Sequence, residues 1–146
     1  MAMTQVNSYL RFDGNCREAM SFYKDCLGAD LALTTVGETP VAKQMPAEAH
    51  RRIVHAALTK GGLTILGSDM VGPEELVKGN SFALQLECGS EEEIRTLYSK
   101  LSAGGKATYP VNPSFWGGLF GQLTDRFGNA WMLNYAVQAK AREVQA

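Results

Sequence analysis

The chain states one pattern twice, and few architectures accept a tandem repeat of this length. Asn7-Ser8-Tyr9-Leu10 opens a first copy and Asn80-Ser81-Phe82-Ala83 a second; from 7 to 80 the shift is 73 residues. Each opening reads as a strand. In the second, Phe82, Leu84 and Leu86 alternate with Ser81, Ala83, Gln85 and Glu87, the period of two expected of a sheet with one apolar face.

A helix follows each strand and carries its own start signal. Asn15 with Glu18 three residues on, and Ser90 with Glu93, are capping-box pairs, in which the first side chain accepts from unpaired amides of the first turn. From 18 to 93 the shift is 75, so the copies differ by a short insertion before the helix. Cys16, Met20, Tyr23 and Leu27 form an apolar stripe on the first helix, and Ile94, Leu97 and Leu101 on the second. Gly28 and Gly104-Gly105 are natural stops, because glycine accepts the left-handed conformation past a helix end.

Three more strands are expected after each helix: residues 30–36, 52–59 and 63–68 in the first copy, and 107–111, 117–124 and 129–136 in the second. Lys60-Gly61-Gly62 and Asp125-Arg126-Phe127-Gly128 supply the turns before the last strand of each. The fold class is therefore α+β: one domain over residues 1–146 made of two βαβββ modules, the first at about 5–70 and the second at about 80–136. Residues 37–51 hold two prolines and read as an insertion, partly helical from Ala47. Residues 71–79, with Gly72-Pro73, read as the linker, and the tail after Val137 as a frayed helix or an arm.

Composition narrows the function. With 45% hydrophobic and 20% charged residues the chain has the makings of a globular core. A formal net charge of −1, with basic residues scattered, argues against nucleic acid or an anionic membrane as partner. No apolar run is long enough to span a membrane, and the N-terminus lacks a secretory pattern. Three cysteines, Cys16, Cys26 and Cys88, form neither an even framework nor a C-x-x-C pair, so reduced thiols in the cytoplasm are expected.

The stretches Phe12-Asp13-Gly14-Asn15-Cys16-Arg17-Glu18-Ala19, Phe22-Tyr23, Leu27-Gly28-Ala29 and His55-Ala56-Ala57-Leu58 follow one another along the first copy. Leu66-Gly67-Ser68-Asp69, the run from Phe115 to Gly121 and the run from Thr124 to Asn134 complete the series. In this order they resemble the PhnB-like branch of the vicinal-oxygen-chelate superfamily, which includes glyoxalase I, bleomycin-resistance proteins and extradiol dioxygenases. The resemblance implies curved mixed sheets around a cavity, often completed in a homodimer. It also implies, for metal-dependent members, a divalent ion held from four strands, acting as a Lewis acid on two adjacent substrate oxygens. Carried onto this chain, those four positions are Ser8, Ile65, Ser81 and Met132, none a good ligand for such an ion, and their neighbours supply no histidine or carboxylate. The expectation is no metal and no cofactor. Sequences of this type are sometimes labelled methyltransferases, but no glycine-rich turn of that kind is present, and Gly117-Gly118-Leu119-Phe120-Gly121 matches no nucleotide-loop pattern.

Candidate ligand-binding residues are Ser8, His55, Ser81, Gln85, Trp116 and Phe120. Ser8, Ser81 and Gln85 face the cavity if the resemblance fixes the register; otherwise they bond buried water or one another. Trp116 and Phe120 flank a glycine pair and serve either as a pocket wall or in core and dimer packing. His55 is a polar contact or base in the cavity, or else a half-buried histidine bonded to the next strand. His50 is expected at the surface. Asp125 heads a turn and serves it; Asp69 is undecided between structure and chemistry. The leading expectation is metal-independent binding of a small molecule. The alternative is a metal-dependent isomerase, lyase or dioxygenase acting on vicinal oxygens, and a third reading is a structural dimer.

Overall fold

A computed structural model describes residues 4–137, so the tail after Val137 lies outside the described residues. The chain divides into two compact units at Val77/Lys78, each built as strand, helix, strand, strand, strand. The first holds β1 (Ser8–Phe12), α1 (Cys16–Leu27), β2 (Asp30–Thr35), β3 (Ile53–Lys60) and β4 (Leu63–Asp69). The second holds β5 (Leu84–Cys88), α2 (Glu91–Ser102), β6 (Lys106–Pro113), β7 (Leu119–Thr124) and β8 (Ala130–Tyr135). The sheet orders are β1-β4-β3-β2 and β5-β8-β7-β6, with β1/β4 and β5/β8 parallel and the remaining pairs antiparallel.

Each helix forms where its apolar stripe can be covered. Cys16, Ala19, Met20, Tyr23, Cys26 and Leu27 of α1 are buried against its own sheet, as are Ile94, Tyr98 and Leu101 of α2. Tyr98, not Leu97, completes the second stripe, its hydroxyl donating to the Gln122 carbonyl at 2.7 Å. Gly28 stops α1 in the left-handed conformation, φ 63°, its successor Ala29 bonding back to Lys24.

The two helix starts differ from each other. Ser90 Oγ accepts from the Glu93 amide at 3.0 Å, and Glu93 reaches back to the Gly89 amide at 2.6 Å, a local cap of the expected kind. Asn15 makes no side-chain cap bond, contrary to the expected box. Its backbone is not extended, and the first helical amide, that of Cys16, donates to Asp69 Oδ1 at 2.9 Å. Asp69 Oδ2 accepts from the Ile53 amide at 2.8 Å, so one buried carboxylate ties α1, β3 and β4 together. This assigns Asp69 to structure.

Residues 36–51 hold three short 3-10 turns, Val36–Glu38, Pro40–Gln44 and Ala47–Arg51. His50, expected at the surface, is half-buried, with Nε2 2.7 Å from the Ala42 carbonyl. Residues 71–79 carry no regular structure.

The second opening strand starts later than the repeat suggests. From 8 to 84 the strands shift by 76 and from 16 to 91 the helices by 75. Asn80-Ser81-Phe82-Ala83 therefore precedes β5 instead of opening it, and its likeness to residues 7–10 is coincidental.

Candidate functional site

Residues paired across neighbouring strands share a face, so register decides what each sheet presents. In the second unit the face toward α2 carries Trp131 and Leu133 with Leu84 and Leu86 beside them; Trp131 and Leu133 are fully buried. The opposite, outer face carries Gln85 beside Met132, Glu87 beside Asn134, Phe120 opposite Asn134, and Gln122 opposite Met132. Tyr109 and Asn112 of β6 join it opposite Gln122 and Phe120.

A short loop adds the largest side chains. Ser114 closes it three times over: its amide donates to the Gly118 carbonyl at 2.8 Å, its carbonyl accepts from Gly117, and its Oγ accepts from Gly118. Gly117 takes φ 95°, where a side chain would be strained, and a Cβ on Gly118 would overlap the Tyr135 carbonyl. What the glycine pair admits is therefore the loop turn and the backbone of β8. Phe115 and Trp116 stand on the tip of this loop, 97% and 46% exposed.

Trp116 is fixed from two sides. Its indole N–H donates to Asn134 Oδ1 at 3.1 Å, and Asn134 Nδ2 donates to Glu87 Oε2 at 3.0 Å. Gln85 Nε2 donates to the other oxygen of the same carboxylate at 2.5 Å. The Asn134 amide is thus oriented by partners at both ends. Ring centroids of Trp116 and Phe120 lie 5.8 Å apart at 74°, Phe115 packs edge-on against Trp116 at 4.7 Å, and Tyr109 lies 6.1 Å from Phe120. These spacings are those of favourable aromatic pairs. All four strands and the loop thus contribute to one array of aromatic rings edged by hydrogen-bonded polar groups.

Of the six candidates, Gln85, Trp116 and Phe120 come together here. Ser8, expected to face a cavity, pairs with Ile65, which is buried on the α1 side of the first sheet, and so lies on the face away from the array's counterpart. Ser81 lies outside β5 and is exposed. His55 is exposed on the outer face of the first sheet, opposite Thr34. Sequence reasoning missed Glu87, Asn134 and Tyr109. Glu87 shares the β5 alternation with Gln85 and could have been found from it; the other two are joined to the site only by cross-strand pairing.

The remaining nominated groups are structural. Asp125 is buried, with Oδ1 accepting from the Phe127 and Asn129 amides at 2.8 and 3.0 Å and Oδ2 from the Trp131 indole at 2.7 Å. All three cysteines are buried free thiols. Burial pushes the Cys16 thiol up to about 12, helped by Asp69, and the Cys88 thiol up to about 12, helped by Glu93 and Glu87. Neither is a nucleophile at neutral pH.

Residues 5–133 match the Glyoxalase/Bleomycin resistance protein/Dioxygenase superfamily. The chain belongs to that superfamily. Over 141 residues it is 32% identical to Protein YjdN of Escherichia coli (strain K12), covering 91% of this chain and 96% of that one. Protein PA1353 from Pseudomonas aeruginosa superposes with a TM-score of 0.80 at 39% identity, covering 92% of this chain and 98% of that one. The PhnB protein from Bacillus cereus shares the fold, with a TM-score of 0.73 at 24% identity over 91% of this chain and 100% of its own. Among the described residues no helix is long and apolar enough to cross a membrane.

The metal of some superfamily members does not fit the residues present. Of the four positions that the resemblance nominates, Ser8 and Ile65 turn toward α1, Ser81 is off the sheet, and only Met132 lies on an outer face. Ile65 offers no donor atom and Met132 only a soft thioether. Among the described residues no three His, Cys, Asp or Glu side chains stand close enough to hold an ion.

Proposed function

We propose that this protein binds a small organic molecule on the outer face of the second sheet, without a resident metal. The observation that supports the reading is the hydrogen-bonded run from Gln85 through Glu87 and Asn134 to Trp116, lying beside Phe120 and Tyr109. Aromatic surface supplies affinity for a flat apolar body, while a few oriented polar groups fix its direction. A preorganised indole loses little freedom on binding, which favours affinity further. Gln85, Trp116 and Phe120 stand in this reading as contact residues; Ser8, Ser81 and His55 have no part in it. The bleomycin-resistance proteins that share the superfamily provide the functional precedent, and no reaction is assigned.

Tryptophan fluorescence tests the reading cleanly, because the two tryptophans differ. Trp116 is half-exposed on the array, whereas Trp131 is buried and held by Asp125. A panel of aromatic and peptide-like compounds should contain ligands that shift the emission saturably, and Trp116→Phe should abolish the shift. Adding a strong chelator should leave the titration unchanged. Emission unmoved across the whole panel sinks the proposal, and a titration that the chelator abolishes favours a metal-dependent enzyme instead.

A further inference from the structure

Resting on that reading, we infer that the ligand is a planar organic cation, an amidinium or guanidinium carried on an aromatic or apolar body. The four strands of the second sheet contain one acid, Glu87, and one base, Lys106. Lys106 stands opposite Thr124, while Glu87 lies beside Asn134, which is opposite Phe120 at the other end of β7. The aromatic end of the face is therefore acidic, with no base among its strand residues.

The carboxylate is used in a particular way. Oε1 accepts one hydrogen bond from Gln85 and Oε2 one from Asn134. A carboxylate oxygen accepts two, so each keeps one acceptor position. Two spare positions, one on each oxygen, match the paired N–H donors of an amidinium or guanidinium fork. Glu87 itself is exposed, and a ligand that covered it with apolar atoms would strip its hydration without return. A cation removes that penalty. The rings of Trp116, Phe120 and Tyr109 attract positive charge through their faces and cover a flat body through their area. An anionic ligand would meet Glu87 with like charge.

Benzamidine, benzamide and benzoate share one ring and differ in charge, so they separate the cation from the ring. Binding of each to the full chain at physiological salt is read from the Trp116 indole N–H signal in a nitrogen-labelled sample. Benzamidine should bind at least about tenfold more tightly than benzamide, and benzoate weakest, as expected for one charge-assisted paired contact. Glu87→Gln keeps an acceptor for Asn134 and should bring the benzamidine-to-benzamide ratio to about one. Glu87→Lys should turn the order toward benzoate. Far-ultraviolet circular dichroism checks that both variants fold. Equal binding of the three probes, or an unchanged ratio in Glu87→Gln, overturns the cation and leaves the binding reading standing. No response to any of the three up to about 10 mM, a weak-fragment range, also overturns it; only the failure of the wider panel removes the binding reading itself.

Discussion

The two units share topology and differ in how they hold their helices and what they present outward. In the first, the amide that opens α1 is bonded by a carboxylate 53 residues away, Asp69, which also takes the first amide of β3. In the second, Ser90 caps α2 locally, and the buried carboxylate Asp125 serves the β7–β8 turn and the Trp131 indole. Among the described residues, the outer face of the first sheet offers Tyr9, His55, Leu66 and Ser68 without a connected network, whereas that of the second carries the linked run ending at Trp116. One architecture thus accepts either long-range or local capping, and the two units differ on the face turned away from their helices.

The largest effect expected from this contrast is at the two buried aspartates. Asp125→Ala should cost about 4 kcal/mol in urea denaturation, since three donors lose their acceptor, one of them a buried indole. Asp69→Ala should cost about 3 kcal/mol, with two backbone amides stranded. A neutral result at either would mean that water or a shifted backbone replaces the carboxylate. Next come the caps. Ser90→Ala should lose about 1 kcal/mol and Asn15→Ala close to nothing, because only Ser90 makes a side-chain cap bond. Equal losses at the two positions would break the comparison.

The smallest effect at neutral pH concerns the thiols. Folded Cys16 and Cys88 keep their protons up to about 12, whereas an ordinary thiol ionises near 9.0. In the unfolded chain they ionise nearer that lower value, so between 9 and 12 the folded state binds more protons. Their contribution to stability is full below that window and is lost as pH rises through it. Native protein should resist alkylation at pH 8 and react only on unfolding. Asp69→Asn should lower the Cys16 thiol slightly and leave that of Cys88 unchanged, with Glu87→Gln doing the reverse. Alkylation rates measured against pH on the folded variants read this difference, and a common shift at both thiols would refute the separate causes.

Much of the fold was legible because local signals agreed with tertiary need. Cys16, Met20 and Tyr23 mark the buried stripe of α1, Gly28 marks its stop, and the Asp125 turn behaves as its sequence implies. What failed depended on pairing between distant segments. Asn15 has the right residue type for a cap, but its backbone is not extended, and no local pattern reports that the Cys16 amide finds a partner 53 residues away. The Asn-Ser likeness at residues 7–8 and 80–81 misplaced β5, and in a pleated strand such an error also exchanges faces. Half of the array was readable as aromatic residues near glycines. Its polar half was not, because Asn134 meets Glu87 only through the parallel pairing of β5 with β8.

That parallel pairing also bears on how the chain reaches this state. Among the described residues, the strand made first in each unit pairs with the strand made last and with no other. Neither sheet can therefore grow as a simple series of hairpins from its N-terminal end. β1 must wait for β4, and β5 for β8, with every other element of the unit threaded between. Closing a contact of that sequence span is entropically slow. Until it closes, one strand edge and one helix face lie bare, and the risk of aberrant association is concentrated in that interval. Splitting the chain into two units shortens each wait to about half the chain, and the first unit has all its strands before the second is complete.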